Sequence, residues 1–219
     1  MVGMKAKYIL LWGVVLLLAA GCAAGDYSDR YPDTGYVSES DGMPHEFVVS
    51  VKQDADGSVY FLRGNDERLV PMETYAYNGP CRALGSFIVY GVHVHTEWIQ
   101  ELDRGPVLSA GAFADGIDIV LDSGITSVED GYLTVHYAAW WGESAVHHDI
   151  SLVSRGNGEF DLVHDAHGDA RDDYAEGIVY FDINDYMPET GAGSVPVKVN
   201  WLNTSGGRTS AGFEFISRK

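Results

Sequence analysis

From residue 46 onward, apolar and polar residues alternate with a period of two. Phe47, Val49 and Val51 lie on one side of a strand, and Val48, Ser50 and Lys52 on the other. Asp54-Ala55-Asp56-Gly57 follows, and Val59 and Phe61 then resume the alternation. Two alternations around an Asp-Gly turn predict a β-hairpin. Leu69-Val70-Pro71 reads as a short strand closed by proline. Residues 85–95 (GSFIVYGVHVH) form a long β-branched run whose interior glycine predicts a bulge or a barrel bend. Strands of this kind over 46–115 predict a small closed barrel of the OB type. The best helical candidate, 96–102, is about two turns at most.

Gly105-Pro106 and the Gly/Ala-rich stretch 109–116 mark the expected boundary between domains. A second series of strands then follows at 132–140, 148–154, 159–164, 178–183, 195–202 and 212–216. Turn residues separate them, as in Arg155-Gly156-Asn157-Gly158 and Ser205-Gly206-Gly207. Many short strands without a helical period predict an antiparallel β-sandwich over 116–219. The fold class is therefore all-β, a small OB-like barrel followed by an antiparallel β-sandwich.

The start of the chain follows a different pattern. Lys5 and Lys7 precede an apolar run at 8–20 of signal-peptide length, too short to span a membrane. Ala19-Ala20-Gly21-Cys22 then resembles the lipobox of bacterial lipoproteins, with Ala19 where leucine is commoner. The resemblance implies cleavage before Cys22, acylation of that cysteine, and an envelope protein anchored to the membrane by lipid. Ala23 in place of an aspartate after the cysteine points to the outer membrane. Asp26 and Asp29 are only a sparse version of a surface-export signal, which leaves surface exposure open. Residues 22–45, rich in Gly, Ser, Asp, Tyr and Pro, read as a flexible tether.

Charge narrows the partners. The chain has 14 Lys and Arg against 32 Asp and Glu. Both lysines of the signal lie before Cys22, so the cleaved chain is more acidic still. Such a surface repels nucleic acid and anionic headgroups, leaving the acyl chains as the membrane contact. With Cys22 lipidated, Cys81 has no cysteine partner within the chain; it reads as a small apolar residue at a strand start.

The second half is similar to the NigD-like lipoproteins of Bacteroidota in several short motifs, in order. These are 130–135 (DGYLTV), 148–153 (HDISLV), 162–169 (LVHDAHGD) and 177–182 (GIVYFD). The resemblance implies an OB-like N-terminal domain, a β-sandwich C-terminal domain and a lipid anchor. The family's name derives from a bacteriocin gene cluster, which implies an accessory or immunity role. No activity comes with it. Asp165 and His167 depart from the family's usual asparagine and aromatic, so no catalytic role is carried onto them.

Candidate chemistry concentrates in 164–173 (HDAHGDARDD). His164, His167, Asp169, Asp172 and Asp173 are the candidate ligands of a divalent cation, calcium on the carboxylates or zinc on the imidazoles. Their spacing matches no EF-hand, and a plain inter-strand loop is the favoured reading. His93 and His95 share one strand face, but no third ligand is recognisable. In His147-His148-Asp149 only one histidine can share a site with a given neighbour. Trp140 and Trp141 face opposite sides of their strand, so one fits the core. The other, near Tyr137 or Tyr180, is a candidate to stack on a sugar or anchor a protein. No catalytic signature is present, neither a nucleophile elbow, a P-loop, His-Glu-x-x-His nor Cys-x-x-Cys. The expectation is a non-catalytic binding module without a cofactor, with a protein or glycan partner. A metal-dependent enzyme and a calcium-stabilised glycan binder are the alternatives.

Overall fold

The computed structural model describes residues 42–142, 145–191 and 193–218. The expected signal, Cys22 and the tether up to residue 41 lie outside the described residues. Five strands form the first layer of the fold: β1 (His45–Gln53), β2 (Val59–Arg63), β3 (Glu67–Pro71), β4 (Cys81–Tyr90) and β5 (His93–Glu101). They close into a barrel in the order β1-β2-β3-β5-β4. All neighbours are antiparallel except β3 and β5. This circuit is the OB-type barrel that the short strands predict.

Two local expectations are corrected. Residues 85–95 are not one strand; Gly91, at φ 64°, turns the chain between β4 and β5. The bulge lies elsewhere, at Ser86/Phe87 opposite β5. Residues 96–101 are strand rather than helix, because Trp98, Ile99, Gln100 and Glu101 pair in register with β4. Ladder pairing outweighs the weak local preference of so short a segment.

The alternation in β1 has a consequence for the rest of the molecule. Val49 and Val51 enter the barrel core with Phe61, Leu69, Ala83, Phe87 and Val94. The opposite face is covered as well, since Val48 and Ser50 are buried. There Arg82, fully buried on β4, donates to Ser50 Oγ at 3.1 Å and Thr134 Oγ1 at 3.3 Å, and pairs with Glu129 at 2.8 Å. Lys52 adds an ion pair to Asp130 at 2.7 Å. The outer face of β1 and β4 is thus the seat of the second half of the chain.

That half is a sandwich. One sheet contains β6 (Asp103–Arg104), β13 (Asp173–Asp182), β10 (Tyr132–Trp141) and β8 (Asp118–Ile119), with β9 (Ser127–Glu129) also paired to β10. The facing sheet runs β15 (Arg208–Phe215), β14 (Val195–Leu202), β12 (Glu159–Asp165), β11 (Asp149–Gly156) and β7 (Val107–Leu108). Leu133, Val135, Val179 and Phe181 from one sheet meet Leu152, Phe160, Leu162, Val199 and Trp201 from the other. The pairing is mainly antiparallel, as the sequence predicts, with three parallel pairs: β12–β14, β7–β11 and β6–β13. The first arises because β13 crosses to the opposite sheet and β14 returns beside β12. β6 and β7 lie before residue 116, so the segment leaving the barrel already contributes strands to the sandwich. A 3₁₀ turn, Asn184–Tyr186, follows β13.

Candidate functional site in the sandwich

The densest polar chemistry gathers at one end of the sandwich. His164 closes β12 in phase with Phe160 and Leu162, and His148 precedes β11 in phase with Ile150 and Leu152. In a strand this phase turns both imidazoles toward the core, and both are buried. His148 Nδ1 lies 2.9 Å from His164 Nε2, and His148 Nε2 lies 3.0 Å from Asp169 Oδ2. His164 Nδ1 lies 3.0 Å from the Gly116 carbonyl oxygen. Trp141 stacks on His148 with ring centroids 3.9 Å apart and planes 14° from parallel.

The Gly116 carbonyl fixes the proton positions. It can only accept, so His164 Nδ1 carries hydrogen. Three hydrogen bonds in the row then require three protons, whereas two neutral imidazoles supply one each. Burial lowers the pKa of His164, outweighing the hydrogen bond to Gly116, and His148 opposes its protonation further.

Backbone holds the same group in place. Asp169 also accepts from the amides of Gly142 at 2.8 Å and Ala170 at 2.9 Å. Both flanking glycines are needed sterically. A Cβ at Gly142 would stand 2.7 Å from Asp169 Oδ1, and one at Gly116 would stand 2.5 Å from the Asn203 carbonyl oxygen. Asp115 bridges to β12 and accepts from the Ala166 amide at 2.9 Å. The loop after β12 is tied down on both sides.

In front of this group lies a shallow surface depression of about 10 Å³, lined by Asp115, Gly116, Trp140, His164, Asp169, Arg171 and Thr204 among others. Trp140 is 37 % exposed beside it. Its neighbour is Tyr174, its register partner on β13, with ring centroids 5.1 Å apart. Neither expected aromatic takes that place. Tyr180 packs edge-on against Tyr132, and the Tyr137 ring lies over Gly177. Tyr174 donates to Asp118 at 2.7 Å, and the Thr204 amide and hydroxyl donate to the same carboxylate. Burial draws the Asp118 pKa up, but these hydrogen bonds outweigh it and hold the carboxyl below its ordinary value. Burial and the bond to Asp118 push the Tyr174 phenol up to about 12.

Residues 112–215 match the family described as the NigD-like C-terminal β-sandwich domain. These residues carry a NigD-like C-terminal β-sandwich domain. Solved structures with the same fold include a putative toxin-related protein from Parabacteroides distasonis, 19 % identical with a TM-score of 0.66. That similarity covers 80 % of this chain and 94 % of the other. A NigD-like immunity protein from Bacteroides caccae is 17 % identical over 78 % of this chain and 97 % of its own, with a TM-score of 0.54. A protein of unknown function from Bacteroides vulgatus is 16 % identical over 78 % and 90 %, with a TM-score of 0.60. No curated protein sequence matches the chain.

Within the NigD-like sandwich, the five candidate metal ligands do not converge. His164 and Asp169 meet only through His148, and their facing atoms are engaged in hydrogen bonds. His167 turns outward to Asp149 at 2.8 Å, in the left-handed region at φ 51°. Asp173 pairs with Trp141 across the sheet as the first residue of β13, and Asp172 bonds the Trp141 carbonyl through its amide. Among the described residues, no three His, Cys, Asp or Glu side chains come together as a metal site. His147 is exposed near Asp149, so of the His147-His148 pair only His148 joins the buried group. On the barrel, His95 pairs with Glu73 and with Glu97, while His93 shares its face in the open. Cys81 is half-buried at the start of β4; burial, reinforced by Glu101, pushes its thiol up to about 11.

Sequence reasoning missed His148 as the bridge, and also Tyr174, Asp115, Arg171 and Thr204. A signal for His148 did exist, namely its phase with Leu152. Nothing local marks the others, since they join only when β13, the 109–116 stretch and the β14–β15 turn meet.

Proposed function

We propose that this chain is a lipid-anchored accessory protein of the bacterial cell envelope, whose sandwich domain binds a partner without turning it over. The observation that carries the binding reading is the exposed aromatic pair of Trp140 and Tyr174 on the sandwich surface. The buried His148–His164–Asp169 row supports a non-catalytic role. Each of its facing atoms already serves a protein hydrogen bond, and the row fixes the floor of the adjoining depression. The lipobox-like Ala19-Ala20-Gly21-Cys22 supports cleavage before Cys22 and attachment by acyl chains, with the outer membrane as the destination. The strong negative charge supports a protein or glycan partner over nucleic acid.

Metabolic labelling with palmitate, followed by separation of inner and outer membranes, tests the anchor. Label is expected in the outer-membrane fraction and is expected to disappear in Cys22→Ala. Undiminished label in that variant would overturn the anchoring site. An immunity role is the second reading, favoured by the fold shared with the Bacteroides caccae immunity protein. It predicts that deletion sensitises the host to bacteriocin from related strains. Unchanged sensitivity removes it.

A further inference from the structure

The outer strands of the sandwich are unequal. β6, β7 and β8 are two residues long and β9 is three. Short outer strands are one way to blunt a sheet edge against foreign strands. β15 ends its sheet and is eight residues long, and among the described residues no strand pairs with its outer side. It contains no proline or lysine, and its register with β14 runs without a bulge from Arg208 to Phe215.

The ladder shows which groups this edge presents. The Asn203 amide donates to the Gly207 carbonyl at 2.8 Å across the β14–β15 turn, and the Lys198 amide donates to Gly158, toward β12. Odd-numbered residues of β14 and β15 therefore bond each other. The even-numbered residues of β15 point their N–H and C=O groups outward. These are Arg208, Ser210, Gly212 and Glu214, and all four are exposed. Gly212 has no side chain, so its exposure is that of the main chain itself.

The four residues form a self-complementary row. An antiparallel copy of β15, related by a twofold axis at Ala211, sets Arg208 opposite the partner's Glu214 and Ser210 opposite the partner's Gly212. Every outward N–H and C=O of the four then finds a mate, and each end gains an arginine–glutamate pair. Sliding the axis to Ser210 or Gly212 loses both charge pairs. Arg208 also stacks over Phe113 at 5.1 Å, and Glu214 accepts from Ser194 at 2.8 Å. Both side chains nevertheless stay exposed.

We propose that β15 is a dimerisation edge, pairing antiparallel with β15 of a second copy of this chain about an axis at Ala211. The charge match selects this occupant, because a strand of unrelated sequence offers no matching glutamate and arginine at the two ends.

The test is sedimentation of the full-length protein in excess density-matched detergent, over a range of protein concentrations. The chain's net charge of −18 opposes association, so physiological salt is used, where the screening length is about 8 Å. A reversible dimer is expected. Arg208→Glu and Glu214→Arg should each weaken it on the order of tenfold, because like charges then oppose each other at both ends. The double variant Arg208→Glu/Glu214→Arg should restore it, which a merely misfolded single variant cannot explain. Ser210→Pro should weaken it as well, since that amide serves no bond within the described chain. Ala211→Cys should yield a disulfide-linked dimer under mild oxidation that the parent protein does not form. A monomer at every concentration would overturn the proposal. That holds even if the Ser210 and Gly212 amides resist exchange, an outcome that gives the edge to the chain's own 22–41 segment. A dimer indifferent to both charge reversals and to Ser210→Pro would overturn it equally.

Discussion

His164 shows how a single residue can be legible in type and hidden in role. Its position at the end of an apolar strand marks it as inward-facing, yet the sequence leaves open whether it binds a metal. The Gly116 carbonyl decides the matter, because an acceptor at Nδ1 turns the other ring nitrogen toward His148. Burial, together with the neighbouring His148, lowers the His164 pKa. The unfolded chain then binds more protons than the folded one below the ordinary histidine value of about 6.5. Its contribution to stability is intact above that value and is lost as the pH falls from there through its own lower pKa. Exposed His167 works in the opposite direction, raised by its hydrogen bond to Asp149, but solvent screens it. Denaturant midpoints should therefore fall on acidification from neutral pH. The His164 ring signal in an NMR titration should move only below the ordinary histidine range. Titration at or above that range would contradict the buried, neutral His164.

At the scale of elements, β1 and β4 carry two jobs, one on each face. Alternation reveals the inward set, Val49 and Val51, and it also exposes the oddity of Val48, Ser50 and Arg82 on the other side. Only the docking of β9 and β10 explains that side, since it brings Glu129 and Thr134 to the guanidinium. An unpaired buried arginine would be prohibitive, so the barrel and the sandwich are coupled through it. Arg82→Leu keeps much of the apolar stem but leaves Glu129, Ser50 and Thr134 without their donor. It should cost about 2 kcal/mol or more and lower the thermal midpoint. Amide exchange should quicken first in β9 and in the outer face of β1. A neutral effect would show that the clamp is dispensable. The short helical candidate at 96–102 is strand for the complementary reason: β4 offers it a ladder, which the local sequence cannot register.

For the molecule as a whole, the dominant property is an excess of negative charge, −18 for the full chain. Ion pairs such as Arg63–Glu67 and Arg68–Asp54 engage some of the few cations locally. These exposed pairs contribute little individually, so self-repulsion among the remaining carboxylates outweighs them at low salt. Thermal midpoints should rise as sodium chloride is raised from near zero to physiological strength, where the screening length is about 8 Å. A fall with added salt would mean that the attractive pairs dominate.

The sequence by itself determined the periods and the punctuation. Two-residue alternation, Asp-Gly and Asn-Gly turns and the absence of a helical period suffice for two successive β-domains, because strand faces and turn types are local properties. It also narrowed the partner classes through charge, which needs no coordinates. The tertiary structure alone decided which polar residues meet. His148, His164 and Asp169 are brought together by the ends of β11 and β12 and the loop after β12. Trp140 acquires Tyr174 only through the β10–β13 register. Such contacts join residues far apart in the chain, and their geometry depends on strand order and sheet crossing, neither of which leaves a periodic trace in the sequence.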